Sequence, residues 1–109
     1  MKTANREQRA LIVVVDDEPA IGEVVRDALC DFAVEIETHT DPYEALETIK
    51  ARRPQIAIID LHMPRMSGME LLEKVATFDA GIEVFLITGD YSPAAAVDAI
   101  KKGARRLPH

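Results

Sequence analysis

Three short apolar runs in this chain each stop at acidic or hydroxyl residues, and that pattern narrows the folds open to it. Residues 11–15 (LIVVV), four of the five β-branched, meet Asp16, Asp17, Glu18 and Pro19. Residues 56–59 (IAII) meet Asp60, and residues 82–87 (IEVFLI) meet Thr88, Gly89 and Asp90. Apolar runs of this length read as strands buried on both faces, the habit of a parallel sheet. Residues 34–38 (VEIET) alternate apolar and polar side chains, which predicts a strand with one wetter face near an edge.

Helical patterns fill the gaps. Ile21, Val24, Val25, Ala28, Leu29 and Phe32 fall on one stripe. Asp41 and Pro42 read as the cap and first turn of a second helix, with Arg52 and Arg53 at its negative end and Pro54 stopping it. Ser67 and Glu70 form a capping box for a third. Ser92 and Pro93 open an alanine-rich fourth, closed by Lys101, Lys102 and Gly103. Strand and helix alternate four times, so the fold class is α/β with a central parallel sheet. The polar start, residues 1–10, reads as an arm, and residues 11–109 as one domain; 109 residues are enough for a single core.

Composition removes several functions. A net charge of −6 disfavours direct nucleic-acid binding, which needs a basic face. No apolar run approaches the roughly 20 residues that span a bilayer, so no membrane partner is expected. The polar N-terminal residues carry no signal-peptide core, and the one cysteine, Cys30, allows no intrachain disulfide; both suit the cytoplasm.

Right-handed crossovers place the loops that follow parallel strands on one edge of the sheet, where ligands of open α/β sheets collect. Asp16 and Asp17 after one strand, Asp60 after another and Thr88 after a third would therefore meet. Single aspartates end strands everywhere, but acidic stops on two buried strands and a threonine on a third point to a site. Crowded carboxylates call for a cation, and all-oxygen ligands suit Mg²⁺. Beside Mg²⁺, a carboxylate can attack a phosphoryl group. Asp60, alone after a central strand, is the nucleophile candidate; Asp16 and Asp17 are the metal pair, and Thr88 an oxygen ligand.

VVVDDEP at 13–19, IIDLHMPRMSGMEL at 58–71, LITGD at 86–90 and AIKKGA at 99–104 together resemble the receiver domain of two-component response regulators. The resemblance runs from about Leu11 to Ala104. It implies a flavodoxin-like (βα)₅ fold of strand order 2-1-3-4-5. It further implies that Asp60 accepts phosphate from a histidine kinase or phosphotransfer protein. Asp17, Asp60 and the backbone carbonyl of His62 would hold Mg²⁺, with Asp16 acting mainly through water. Thr88 would bond the phosphoryl group and move inward. Met63 and Pro64 would shape the loop after the acceptor, and Gly68 would sit where that loop enters the third helix.

The pattern is incomplete at its end. The lysine of the family's Lys-Pro pair falls one place past His109, Leu107 occupies the position of the aromatic switch residue, and Pro108 interrupts the expected fifth strand. The fifth strand is thus expected to be partial and the fifth helix absent, as in a piece of a longer receiver. That would leave the edge of the fourth strand bare and open to a homodimer or strand exchange. Two other functions compete with the phosphoacceptor module. One is a pseudo-receiver that binds proteins without switching; the other is a Mg²⁺-dependent aspartyl-phosphate phosphatase, for which His62 stands where a second Asp is wanted. Turnover of an external substrate is not expected. Among the remaining residues, His39 and His109 read as exposed and inert, Cys30 as unreactive, Met63, Met66 and Met69 as core filling, and Tyr91 as an exposed loop residue.

Overall fold

The computed structural model describes residues 9–88 and 91–102. Strands and helices alternate: β1 Ala10–Val15, α1 Pro19–Ala28, β2 Val34–His39, α2 Pro42–Arg52, β3 Ile56–Asp60, α3 Gly68–Phe78, β4 Glu83–Ile87 and α4 Pro93–Lys102. The strands form one parallel sheet in the order β2-β1-β3-β4. These are the first four places of the order that the receiver resemblance implied. The expectations for Leu107, Pro108, His109 and a partial fifth strand lie outside the described residues, as does most of the polar arm.

The central strands explain the arrangement. All six residues of β1 are buried, as are Ile56, Ala57, Ile58 and Ile59 of β3. A strand apolar at every position needs cover on both faces. Leu11, Val13, Val15, Ala57 and Ile59 point to one side, where Ala45, Leu46 and Ile49 of α2 and Leu71 and Val75 of α3 cover them. Ile12, Val14 and Ile58 point to the other, under Val25 and Leu29 from the α1 segment and Ala96, Val97 and Ile100 of α4. The β1–α1–β2 connection crosses the sheet in one direction, while β2–α2–β3 and β3–α3–β4 cross in the other, so right-handedness puts α1 opposite α2 and α3. α4 packs beside α1, over Phe85 and Ile87 of β4.

Charge marks the β2 edge. Glu35 and Glu37 stand on the wetter face, and Arg52 from the last turn of α2 reaches them at 3.0 and 2.6 Å. His39 is not an exposed bystander. Its side chain is 15% exposed and its Nε2 lies 2.8 Å from Glu37, because the same acidic face draws it in.

The helix ends follow their caps. Asp41 accepts the N–H of Tyr43, Ser67 that of Glu70, and Ser92 that of Ala95. The stripe on α1 differs from the sequence expectation: Val24 is 47% exposed. The buried face centres on Gly22, Val25 and Leu29, with Ile21, Ala28 and Phe32 beside it. Gly22 presents no side chain, so the apolar letters alone shift the apparent stripe toward Val24. A Cβ at Gly22 would come within 3.0 Å of Thr38 Cβ, so the bare backbone lets α1 settle onto β2.

Candidate functional site

β1 and β3 are neighbours in register, with Val15 opposite Ile59. The next residues on each strand are Asp16 and Asp60, which therefore emerge side by side at the carboxyl edge. Asp17 follows Asp16, and one carboxylate oxygen from each of the three lies within 4.8 Å of those of the other two. Asp16, Asp17 and Asp60 are thus brought together as the sequence predicts.

Their environments differ. Asp16 is 6% exposed, the one buried charged residue among those described. Its N–H donates to the carbonyl of His39 at the end of β2, and its Oδ1 accepts the N–H of Glu18 at 2.8 Å. Asp17 is exposed and Asp60 is half-buried. Asp60 Oδ1 accepts the N–H of His62 at 3.1 Å. Burial pushes the Asp16 carboxyl up to about 6; the Glu18 N–H opposes the shift, while the charges of Asp60, Asp17 and Glu18 add to it. Asp60 is also raised, first by burial and then by Asp17, against the pull of the His62 N–H and of His62 itself. Carboxyls held upward by burial and by like charges at short range form a site that gains from a divalent cation. An oxygen-only donor set with an exposed side suits a hard ion that retains water.

The loop from Asp60 to α3 closes tightly. The N–H of Leu61 donates to the Ile87 carbonyl, and that of Gly68 to the Leu61 carbonyl at 2.9 Å. A Cβ at residue 68 would lie 2.6 Å from Leu61 Cα and 2.9 Å from the carbonyl carbon of Asp60. Only glycine lets the start of α3 come this close to the strand end. Met63 and Met66 are buried within the α2–α3 side of the core, whereas Met69 is 46% exposed at the start of α3, outside that filling role. His62 is exposed on the same loop.

Thr88 directly follows β4, one residue past Ile87, the register partner of Asp60. Its N–H donates to the Tyr91 carbonyl at 2.9 Å and its own carbonyl accepts the Tyr91 N–H at 3.2 Å. This pairing turns Tyr91 onto the core, where its hydroxyl donates to the Ala95 carbonyl at 3.4 Å. Tyr91 is a packed residue, not an exposed loop side chain. Cys30 is exposed, with an acidic neighbour, Asp31, 3.9 Å from its sulfur.

Two contacts escaped the sequence reading. One is the His39 carbonyl that holds Asp16. The other is Arg65, whose guanidinium spans from the β3–α3 loop to Asp41 and Tyr43 on α2. Neither leaves a local signal in the sequence, because each joins segments brought together only by the sheet order.

Comparison with known proteins gives this geometry a family. The pattern of the response regulator receiver domain matches residues 12–107. The chain belongs to that family. This receiver is 37% identical over 95 residues to the nitrogen assimilation regulatory protein NtrX of Azorhizobium caulinodans, covering 85% of this chain and 21% of that protein. It is 35% identical over 81 residues to the probable transcriptional regulatory protein TcrX of Mycobacterium tuberculosis, covering 74% of this chain and 35% of that one. The receiver therefore spans about a fifth to a third of these relatives. Among solved structures, the chemotaxis response regulator CheY4 of Vibrio cholerae shares the fold, with a TM-score of 0.73 and 21% identity over 86% of this chain and 98% of that one.

Proposed function

We propose that this receiver is a phosphoacceptor of two-component signalling, in which Asp60 takes a phosphoryl group from the phosphohistidine of a histidine kinase or phosphotransfer protein. The supporting observation is the meeting of Asp16, Asp17 and Asp60 oxygens within 4.8 Å at the carboxyl edge of the sheet. Asp17, Asp60 and the His62 carbonyl would hold Mg²⁺, with Asp16 acting through water. Bound there, the ion screens the approach of two anions and offsets charge on the transferring group.

The chain's own groups do the rest. An Asp60 oxygen attacks phosphorus in line with the donor nitrogen; the O–P bond forms, the P–N bond breaks and the leaving imidazole takes up a proton. The His62 N–H fixes the Asp60 carboxylate by one oxygen, which limits its rotation before attack. Thr88, beside Asp60 in the strand order, would then donate its hydroxyl to a phosphoryl oxygen. The product is a changed protein, so the receiver is a signalling module of the cytoplasm and turns over no external substrate.

Exposure to acetyl phosphate with Mg²⁺ tests the proposal. A mass gain of one phosphoryl group on the peptide bearing Asp60, removed by hydroxylamine as an acyl phosphate is, is the expected result, absent from Asp60→Asn. Equal incorporation in Asp60→Asn contradicts it.

A further inference from the structure

We infer that Arg65 is a positioning residue for the carboxylate site: it clamps the acceptor loop to the start of α2 and so fixes the spacing of Asp16 and Asp60. The inference rests on the cation-binding role proposed above for those carboxylates. Arg65 sits at φ 74, in the left-handed region that side chains seldom adopt. The other such residue among those described, Arg53, is the ordinary left-handed cap of a helix, α2. Arg65 ends no helix. It lies in a bend of the loop, between the buried side chains of Met63 and Met66.

The side chain has two holds. Its Nη1 is 3.0 Å from Asp41 Oδ1, and its guanidinium carbon stands 4.7 Å over the Tyr43 ring. The same Asp41 oxygen accepts the Tyr43 N–H at 3.0 Å as the cap of α2. A closed circuit results. Asp16 hangs by its N–H from the His39 carbonyl, and His39 leads through Thr40 to Asp41. Asp41 meets Arg65, and the Arg65 loop runs back through His62, whose N–H holds Asp60. Two carboxylates that repel each other are thereby tied from both sides. Opening the clamp leaves the sheet intact and loosens only the outer part of the ring.

Calorimetric titration of the full chain with Mg²⁺ tests this. Arg65→Ala and Asp41→Asn are each expected to weaken Mg²⁺ binding about three- to tenfold, the range that an exposed ion pair and an exposed cation–π contact can supply. Asparagine keeps the cap of α2. Arg65→Ala/Asp41→Asn should bind no worse than the weaker single variant, since both remove one clamp. Arg65→Lys, which keeps the charge facing Asp41, should recover part of the loss. Metal-free Arg65→Ala should keep one cooperative melting transition, lowered by no more than the few degrees that the lost contacts supply.

Wild-type affinity in Arg65→Ala overturns the inference, as does a double variant showing the product of the two losses. A lysine variant no better than alanine, or a metal-free Arg65→Ala that loses its single cooperative melting transition, also overturns it. A wild-type chain that takes up no Mg²⁺ defeats the underlying site itself; a wild type that binds and an indifferent Arg65→Ala defeat the clamp alone.

Discussion

The backbone N–H of His62 donates to Asp60 Oδ1 across 3.1 Å, so the loop that leaves β3 folds back on the side chain that ends it. The Asp60 carboxylate is therefore held by its own loop, and under the proposed function the rigidity of residues 61–67 would bear on the chemistry.

Removing charge from the cluster should have unequal effects. Asp60→Asn is expected to abolish phosphoryl incorporation, because the amide offers no nucleophile. Asp17→Asn should leave the nucleophile but weaken Mg²⁺ binding by tenfold or more. Phosphorylation rates measured against Mg²⁺ concentration separate the two: excess ion should rescue Asp17→Asn and never Asp60→Asn.

The metal-free protein should grow more stable as the medium is acidified from neutrality. Burial, with the charges of Asp60, Asp17 and Glu18, raises Asp16 to about 6 in the folded chain, against about 3.9 when unfolded. Between these values the folded state holds a proton that the unfolded state has released, so stability rises as pH falls through 6 and this gain levels off below about 4. Glu37 acts oppositely. Burial would raise it, but hydrogen bonds from Arg52, His39 and Thr48 hold it below its ordinary value. Its contribution is present at neutral pH and lost under stronger acid. Urea unfolding from pH 7 to 3 should show a maximum, and saturating Mg²⁺ should move that maximum toward neutral pH, because the ion holds the same oxygens deprotonated.

Arg52 joins two half-buried glutamates, with Glu35 at 3.0 Å and Glu37 at 2.6 Å. Arg52→Ala leaves those charges facing one another on the β2 edge. A stability loss of roughly 1–2 kcal/mol is expected from urea midpoints, with Mg²⁺ affinity little changed.

Gly68→Ala should do more harm than the size of a methyl group suggests. The added Cβ meets backbone at Asp60 and Leu61, which cannot swing aside as a side chain can. Chemical denaturation should show a loss of about 1–3 kcal/mol, accompanied by slower phosphorylation as the Asp60 loop is displaced.

Much of this architecture was legible in the letters. LIVVV and IAII are apolar at every position, which forces a strand covered on both sides, and the order of strands and helices then fixes which ends meet. Asp16 and Asp60 become neighbours for that reason alone. Caps at Asp41, Ser67 and Ser92 have chemical signatures within three residues, so they too could be read. What stayed hidden depends on distant segments or on missing atoms. Gly22 occupies the buried face of α1 without an apolar side chain, so the apolar letters point to Val24 instead. His39 reads as inert because its contact with Glu37 forms only once β2 is laid out as a strand. Tyr91 reads as exposed because its pairing with Thr88, though local, is made by backbone atoms and has no side-chain signature.

Nuclear magnetic resonance of the amide groups, followed through addition of Mg²⁺ and then beryllofluoride, tests the central claim most directly. The three-carboxylate site requires Mg²⁺-dependent shifts concentrated at residues 16–18 and 60–62, with beryllofluoride adding a further change at Thr88. Saturating Mg²⁺ that leaves those amides unmoved, or moves a different region of the molecule, would contradict it.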